Sequence, residues 1–351
     1  MEYPKLDINL STIKNNVQTV VSLCENYGIY ITGVTKVFSA SKPIVQAFLD
    51  GGIRRIGDSR IENLKRAKEF DVEKWLIRVP PISQVKDVLL YSDVSLNSEL
   101  STIIKLNEEA TKINKIHKVI LMVDLGDLRE GYLINNLFFD VVKKVQSLSN
   151  IQLYGVGTNL TCFSFIKSSN ENLTVLDNLA KKLPLKNLVV SGGNSATIKL
   201  MLDGQIPPNI NNMRLGESLL FGKERSTYTF LKGTRKDAFI LSAEVVELKI
   251  KPSVPWGEVG PDSYGNIHKK LVDKGNITRA ILAIGKQDCD IETMKPIDPN
   301  IEILGASSDY LIVHIKSNDN NYKVGAIIQF ELGYYSLMRV MQSEYVSKFY
   351  Y

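Results

Sequence analysis

The chain has 351 residues, a length that suggests two domains at ~150 residues each. Lys plus Arg number 43 against 38 Asp plus Glu, a formal charge of +5, and 44% hydrophobic with 23% charged residues is an ordinary globular balance. Disorder as the main state is excluded, and so is a small scaffold that depends on staples. The densest basic run, Lys65-Arg66-Ala67-Lys68, suits a solvated helix flank, so no nucleic-acid partner is expected. Three separated cysteines (Cys24, Cys162, Cys289) and three scattered histidines (His117, His268, His314) match no metal-site spacing, and free thiols in a reducing compartment are expected. No stretch approaches the ~18 apolar residues of a membrane span. The opening MEYPKLDINL has no apolar core behind a basic head, which leads to the expectation of a soluble, cytoplasmic protein.

In chain order, Tyr3–Leu10 reads as a strand that either domain could pair. An amphipathic helix follows, with Ser11 as its expected N-cap and Ile13, Val17, Val20, Val21 and Cys24 on one face. Short β-branched runs then alternate with helical stretches: Ile29–Thr35, Ile53–Gly57, Trp75–Val79, Val94–Leu96, Val119–Val123, Leu153–Thr158, Leu188–Val190 and Met213–Leu215. A helix from Ser98 carries Leu100, Ile103, Ile104, Asn107 and Ala110 on one stripe. Eight strands with helices between them are the count of a closed (β/α)8 barrel, here assigned to residues 1–225. From about residue 226 the pattern changes to strands without long helices between them: Phe239–Lys251, Thr278–Gly285, Ile301–Leu304, Tyr310–Ile315 and Ala326–Leu332. Residues 226–351 are therefore expected to form an all-β domain.

Barrel active sites gather at the C-terminal ends of the strands. Those positions hold Lys36, Asp58, Arg78, Asn97, Asp124, Asn159, Ser191 and Arg214–Gly216. Lys36 ends the first barrel strand, where a buried amine suits Schiff-base chemistry, although a lysine there can also snorkel to the surface. Ser191-Gly192-Gly193-Asn194-Ser195 follows the seventh strand and leads into a helix, an arrangement for an anion or for a plain turn. Gly216 after strand eight would complete a phosphate cup. Arg214 stays protonated, so whatever it meets must accept. Arg129, in the loop DLGDLREGY, could serve the mouth or merely pair with Asp127 or Glu130 on the surface. A lysine, a phosphate cup and an arginine donor suit pyridoxal phosphate (PLP), and they also suit a cofactor-free enzyme acting on a sugar phosphate.

The segments VTKVFSA, GDSRIENLK, SLNSELSTI, MVDLGDLREGY, GVGTNLTCF, VSGGNSATI, MRLGESLLFG, DKGNITRAILAIGKQD and LGASSDYLIV together resemble the alanine/ornithine racemase family of PLP-dependent enzymes. The resemblance covers nearly the whole chain. It implies that Lys36 carries the cofactor and returns as a catalytic base. Ser195 and Gly216 would bind the phosphate, with Tyr334 contributing from the C-terminal domain. Arg214 would face the pyridine nitrogen. Arg129 would hold the cofactor's phenolate oxygen and the substrate carboxylate, and Asn159 stands where alanine racemases carry a histidine beside the ring. Tyr264, in Pro261-Asp262-Ser263-Tyr264-Gly265, is the candidate second base, supplied by the β-domain of a partner subunit in a homodimer.

Ala40 replaces a phosphate-touching tyrosine of the alanine racemases, which would shift those contacts to Ser39 or Ser41. The implied reaction is interconversion of L- and D-ornithine, or of alanine or another amino acid, by two-base proton transfer. The ammonium of an ornithine side chain would need a carboxylate, for which Asp288, Asp290, Asp309 and Glu217 are the candidates. A basic amino-acid decarboxylase of the same fold and a non-catalytic PLP-binding protein are the alternatives. The first places an acid against the pyridine nitrogen where this chain has Arg214, and the second lacks the β-domain.

Overall fold

The structure is a computed structural model that describes residues 2–261 and 272–351. It divides into two compact units, one of residues 9–238 and one made of the N-terminus through Ile8 together with Phe239–Tyr351. The first strand, β1 (Lys5–Ile8), belongs to the second unit.

In the first unit eight parallel strands close into a barrel: β2 (Tyr30–Val34), β3 (Arg55–Asp58), β4 (Glu73–Leu76), β5 (Val94–Asn97), β6 (His117–Met122), β7 (Ile151–Gly157), β8 (Val189–Gly193) and β9 (Asn212–Leu215). Helices lie before, between and after these strands: α1 (Leu10–Glu25), α2 (Lys42–Asp50), α3 (Ile61–Arg66), α4 (Val85–Tyr91), α5 (Leu100–Lys112), α6 (Asn136–Gln146), α7 (Asn170–Lys182), α8 (Ile198–Leu202) and α9 (Glu217–Phe221). The N-cap of α1 is Asn9 and not the expected Ser11. Asn9 Oδ1 accepts the Thr12 N–H at 3.0 Å, and the Ser11 hydroxyl donates to the same oxygen. Asn9 stands just before the helix, where an amide oxygen can reach back to an orphan N–H, whereas Ser11 already lies in the first turn.

Alternation along the strands builds two cores. Val119 and Leu121 of β6 join Leu106, Phe138, Val142 and Leu176 in the layer between strands and helices. Ile120 and Met122 join Trp75, Val94, Leu96 and Val189 inside the barrel. Ser95 and Asn97 have the parity opposite to Val94 and Leu96, so Asn97 does not serve the mouth as its strand-end position suggests. Its amide donates to Ser95 at 2.9 Å, and Ser95 meets His117 Nε2 at 2.9 Å.

The second unit is built around the 14-residue strand β10 (Phe239–Pro252), which pairs with β1, β15 (Ile327–Leu332) and β11 (Asn276–Leu282). The sheet order is β12-β15-β10-β11-β14-β13, with β12 at Met294–Pro296, β13 at Ile301–Ala306 and β14 at Leu311–Ile315. A helix, α10 (Tyr334–Gln342), follows β15, and β16 (Ser347–Tyr350) runs parallel to β1.

The division after Ala238 falls beyond the expected boundary after residue 225. Residues 226–238 return to α1: Asn15 and Asn16 donate to the carbonyls of Gly233 and Arg235, and Thr12 donates to Asp237. No helix among the described residues is long and apolar enough to cross a membrane.

Candidate active site

β2 lies between β3 and β9 in the barrel, so whatever follows β2 stands between the ends of those two strands. Lys36 begins a single 3-10 turn, Lys36–Phe38, immediately after the buried Thr35. Phe38 anchors the turn in the core, edge-on to Phe48 with ring centroids 5.2 Å apart. Ser39 and Ala40 close it in left-handed backbone, with φ of 50° and 52°, a conformation that costs non-glycine residues energy and is kept where the surroundings over-determine it. The Ser39 carbonyl accepts from Arg66 at 2.8 Å.

On the β3 side Asp58 is fully buried and accepts from the Thr35 hydroxyl (2.6 Å), the Arg60 N–H (2.8 Å) and the Asn63 amide (3.1 Å). Burial raises its pKa, and these donors together with Lys36 recover only part of the rise. On the β9 side burial also raises Glu217, opposed by Arg225, Lys223 and Lys36. Lys36 thus sits in the field of two carboxyl groups delivered by the strands that flank it.

Arg214 on β9 is 5% exposed. Its Nη1 donates to the Ser191 hydroxyl (2.5 Å) and carbonyl (3.3 Å), and its Nη2 to the Thr158 carbonyl (2.6 Å) and Asn159 Oδ1 (2.5 Å). The Ser191 hydroxyl in turn donates to Asn212 Oδ1, and the Asn212 amide donates to Thr32 Oγ1 at 3.0 Å. Burial pulls the Arg214 guanidinium down to about 10, against the pull of Cys162 and Glu130, so it remains a cation at neutral pH. The other end of the Asn159 amide donates to Glu130. Glu130 also takes Nε and Nη2 of Arg129, the latter at 2.7 Å. Burial lowers the Arg129 pKa, but Glu130 outweighs it and the net shift is upward. Of the two surface partners expected for Arg129, Glu130 is the one it meets. Asp127 instead accepts the backbone N–H groups of Cys162, Phe163 and Ser164, tying the loop after β7 to the loop after β6.

Close packing requires glycine at 193 and leaves little room for a side chain at 216. A Cβ on Gly193 would lie 2.5 Å from Thr197 Oγ1, and one on Gly216 would lie 3.2 Å from Val34 Cβ. Ser195, 4% exposed, accepts the Ser218 N–H at 3.2 Å, while its carbonyl accepts the Arg225 N–H at 3.1 Å. The loops after β8 and β9 are joined there. The Ser218 hydroxyl beside that junction is buried and has no partner among the described residues. A buried orphan hydroxyl costs stability unless an acceptor reaches it, so an acceptor-rich phosphate suits this place. With Lys36 just past the end of the neighbouring strand β2 and Arg214 on β9, these residues fit PLP.

The remaining candidates are on the other unit. Asp288, Asp290, Asp309 and Tyr334 all belong to the β-unit. There Asp288 accepts from Ser343 (2.6 Å), Asp290 from Thr293 (2.9 Å), and Asp309 from Gln287 and Ser308 (both 2.6 Å). Tyr334 begins α10, its ring 5.5 Å from that of Tyr335. Tyr264 lies outside the described residues. Two residues of this arc are not marked as site candidates by the sequence: Ser218, which carries no signal there, and Glu130, which reads only as a surface partner for Arg129.

Residues 8–224 match the family model described as "Alanine racemase, N-terminal domain". The chain is 43% identical over 350 residues to the ornithine racemase of Acetoanaerobium sticklandii, covering 99% of each protein. It is 33% identical over 356 residues to the lysine racemase of Thermotoga maritima, covering 100% of this chain and 99% of that protein. Among solved structures, the alanine racemase of Bartonella henselae with covalently bound pyridoxal phosphate superposes with a TM-score of 0.74 at 18% identity, over 99% of both chains.

Proposed function

The chain belongs to the alanine racemase family, and from that premise we propose that it racemises a basic amino acid, ornithine first, with PLP as its cofactor. The observation that carries this is the convergence of three adjacent strands. β8 leads to Ser195, β9 supplies Arg214 and Gly216, and β2 leads to Lys36. The choice of a basic substrate is supported by the two relatives, an ornithine and a lysine racemase, that match along the whole chain.

The hydroxyls of Ser195 and Ser218 and the backbone at Gly216 would hold the phosphate, and Arg214 would donate to the ring nitrogen. When bound, PLP acidifies the α-hydrogen of an amino acid joined to it. Lys36 removes or returns that proton on one face, and Tyr264, from the partner subunit of a homodimer, serves the other. Arg129 orients the substrate carboxylate and the cofactor's phenolate oxygen, with Asn159 beside the ring. A guanidinium buried as Arg214 is would give a hydrogen bond to the cofactor's ring nitrogen without surrendering its proton, which would limit side reactions. Asp288, Asp290, Asp309 and Glu217 are the carboxylates proposed to meet the substrate's side-chain ammonium.

The test is polarimetry of L-ornithine with purified protein and added PLP, with L-lysine and L-alanine alongside. Decay of rotation to zero with the amino acid fully retained is the expected result, fastest for ornithine. Constant rotation with all three overturns the proposal.

A further inference from the structure

Glu130 links two site arginines, accepting from Arg129 directly and reaching Arg214 through the Asn159 amide. Its side chain is 19% exposed. Its Oε1 accepts from Arg129 Nη2 and from the Asn159 amide, and its Oε2 accepts from Arg129 Nε. The other end of Asn159 accepts from Arg214. The polarity of this chain is fixed at both ends. A guanidinium can only donate and an ionised carboxylate can only accept, so the amide between them has one orientation, oxygen toward Arg214 and nitrogen toward Glu130.

No neighbouring carboxylate can take this place. Asp127 is spent on three backbone N–H groups of the loop after β7, and Asp124 accepts from the N–H groups of Gly126 and Leu128. Arg129, whose side chain is 39% exposed, would otherwise keep much of its rotamer freedom. The fork of two charge-assisted bonds removes that freedom and leaves Nη1 as the edge for a ligand.

We propose that Glu130 is a positioning residue that binds Arg129 and Arg214 into one unit, holding the first directly and the second through Asn159. Its activity readouts rest on the racemase proposal. Its structural readouts do not.

The experiment compares E130A, E130Q, E130D, N159A and the double variant E130A/N159A with the wild type. For each, KM and kcat for ornithine, the dissociation constant of PLP by absorbance titration, and urea unfolding are measured. E130A is expected to lose roughly ten- to a hundredfold in kcat/KM, mostly through KM as Arg129 loosens. PLP affinity is expected to fall about tenfold in both E130A and N159A, and no further in the double variant. E130D, or millimolar acetate added to E130A, should restore part of KM, which a merely structural role would not produce.

Additive losses in the double variant overturn the proposal, and so does an E130A protein that matches the wild type in KM and PLP affinity. If E130A fails to fold, E130Q carries the same comparison, since it keeps the size of the side chain and loses the charge. A wild-type protein inactive on every amino acid refutes the racemase reading alone. Coupling between positions 130 and 159 in PLP affinity and in unfolding then supports the Glu130 proposal, and its absence overturns it.

Discussion

Near the starts of the barrel strands Glu73 takes hydrogen bonds from Arg55 (3.1 Å), Lys118 (2.9 Å) and Trp75 Nε1 (3.0 Å). Arg55 lies over the Tyr30 ring at 4.2 Å, and Lys118 over the Tyr154 ring at 4.6 Å. Past the strand ends Glu130 gathers a comparable set of donors, yet the surroundings differ. At the first end each cation is shared between one carboxylate and one aromatic face, so the cluster closes on itself. At the other end Arg214 is held by backbone and amide oxygens, Arg129 is half-exposed, and the Ser218 hydroxyl is left without a partner. Similar residue types plug one end of the barrel and leave the other ready for a ligand. What separates them is whether the polar groups are used up among themselves.

The sharpest way to break this contrast is to delete one residue at each end. Lys36→Ala should lower racemisation by about a thousandfold or more, with the urea midpoint unchanged. Glu73→Ala should leave kcat within about twofold while costing about 1–3 kcal/mol of stability, because Arg55 and Lys118 lose their acceptor. Loss of activity in a stable Glu73→Ala protein would erase the division of labour between the two ends.

Arg214→Glu probes the open end more finely. Facing the carbonyls of Ser191 and Thr158, a carboxylate should cost about 2–4 kcal/mol in urea unfolding. A carboxyl group can also give its proton to a ring nitrogen, as a guanidinium does not. Racemisation should fall about a hundredfold, with keto acid accumulating in a chromatographic time course. Unchanged racemisation with no keto acid would remove Arg214 from the control of side reactions.

The layer between strands and helices supplies a pH-dependent comparison. Burial, with a smaller push from Lys115, lowers His117 from its ordinary 6.5 to about 3. The folded protein therefore keeps this ring neutral where the unfolded chain protonates it. The stability it contributes is present above about pH 6.5 and is lost progressively as pH falls toward about 3. From pH 7 to pH 5 this one group should remove about 2 kcal/mol from unfolding free energy. His117→Gln should flatten that slope, and an identical slope in both proteins would show that other groups set the acid limb.

The strands were legible because β-branched runs bounded by turn residues report local preference, and all eight barrel strands overlap their expected runs. Pairing was not legible to the same degree. Tyr3–Leu10 read as a strand, but its partners β10 and β16 lie more than 200 residues on, and only tertiary structure selects them. The boundary after Ala238 is not legible in the sequence, because residues 226–238 change in pattern yet return to α1 by side-chain-to-carbonyl bonds that leave no periodic trace. At the site, residue types at strand ends were informative for Lys36 and Arg214. In the sequence Glu130 reads only as a surface partner, since its second contact, Asn159, is 29 residues away and visible only once β6 and β7 lie side by side.

The smallest effect to look for is the reactivity of the three thiols. Burial raises Cys24, with a further push from Glu25, and raises Cys289, with further pushes from Asp288 and Asp290, each to about 12. Both are fully buried, whereas Cys162 is exposed, in the loop that Asp127 ties down. A neutral-pH maleimide should therefore label one thiol per native chain and three after unfolding in urea. Cys162 follows β7, its N–H bonded to Asp127 and its Sγ 4.0 Å from the Asn194 amide of the loop after β8, which places it at the open end of the barrel. PLP with a substrate analogue should slow its labelling about two- to fivefold, as an occupied mouth shields the loop, while Cys24 stays silent in both states. Equal labelling rates with and without these ligands would place the thiol outside the occupied site. Rapid native labelling of Cys24 would instead mean that α1 opens readily, and the contrast between a sealed and an open barrel end would then extend to the helices around it.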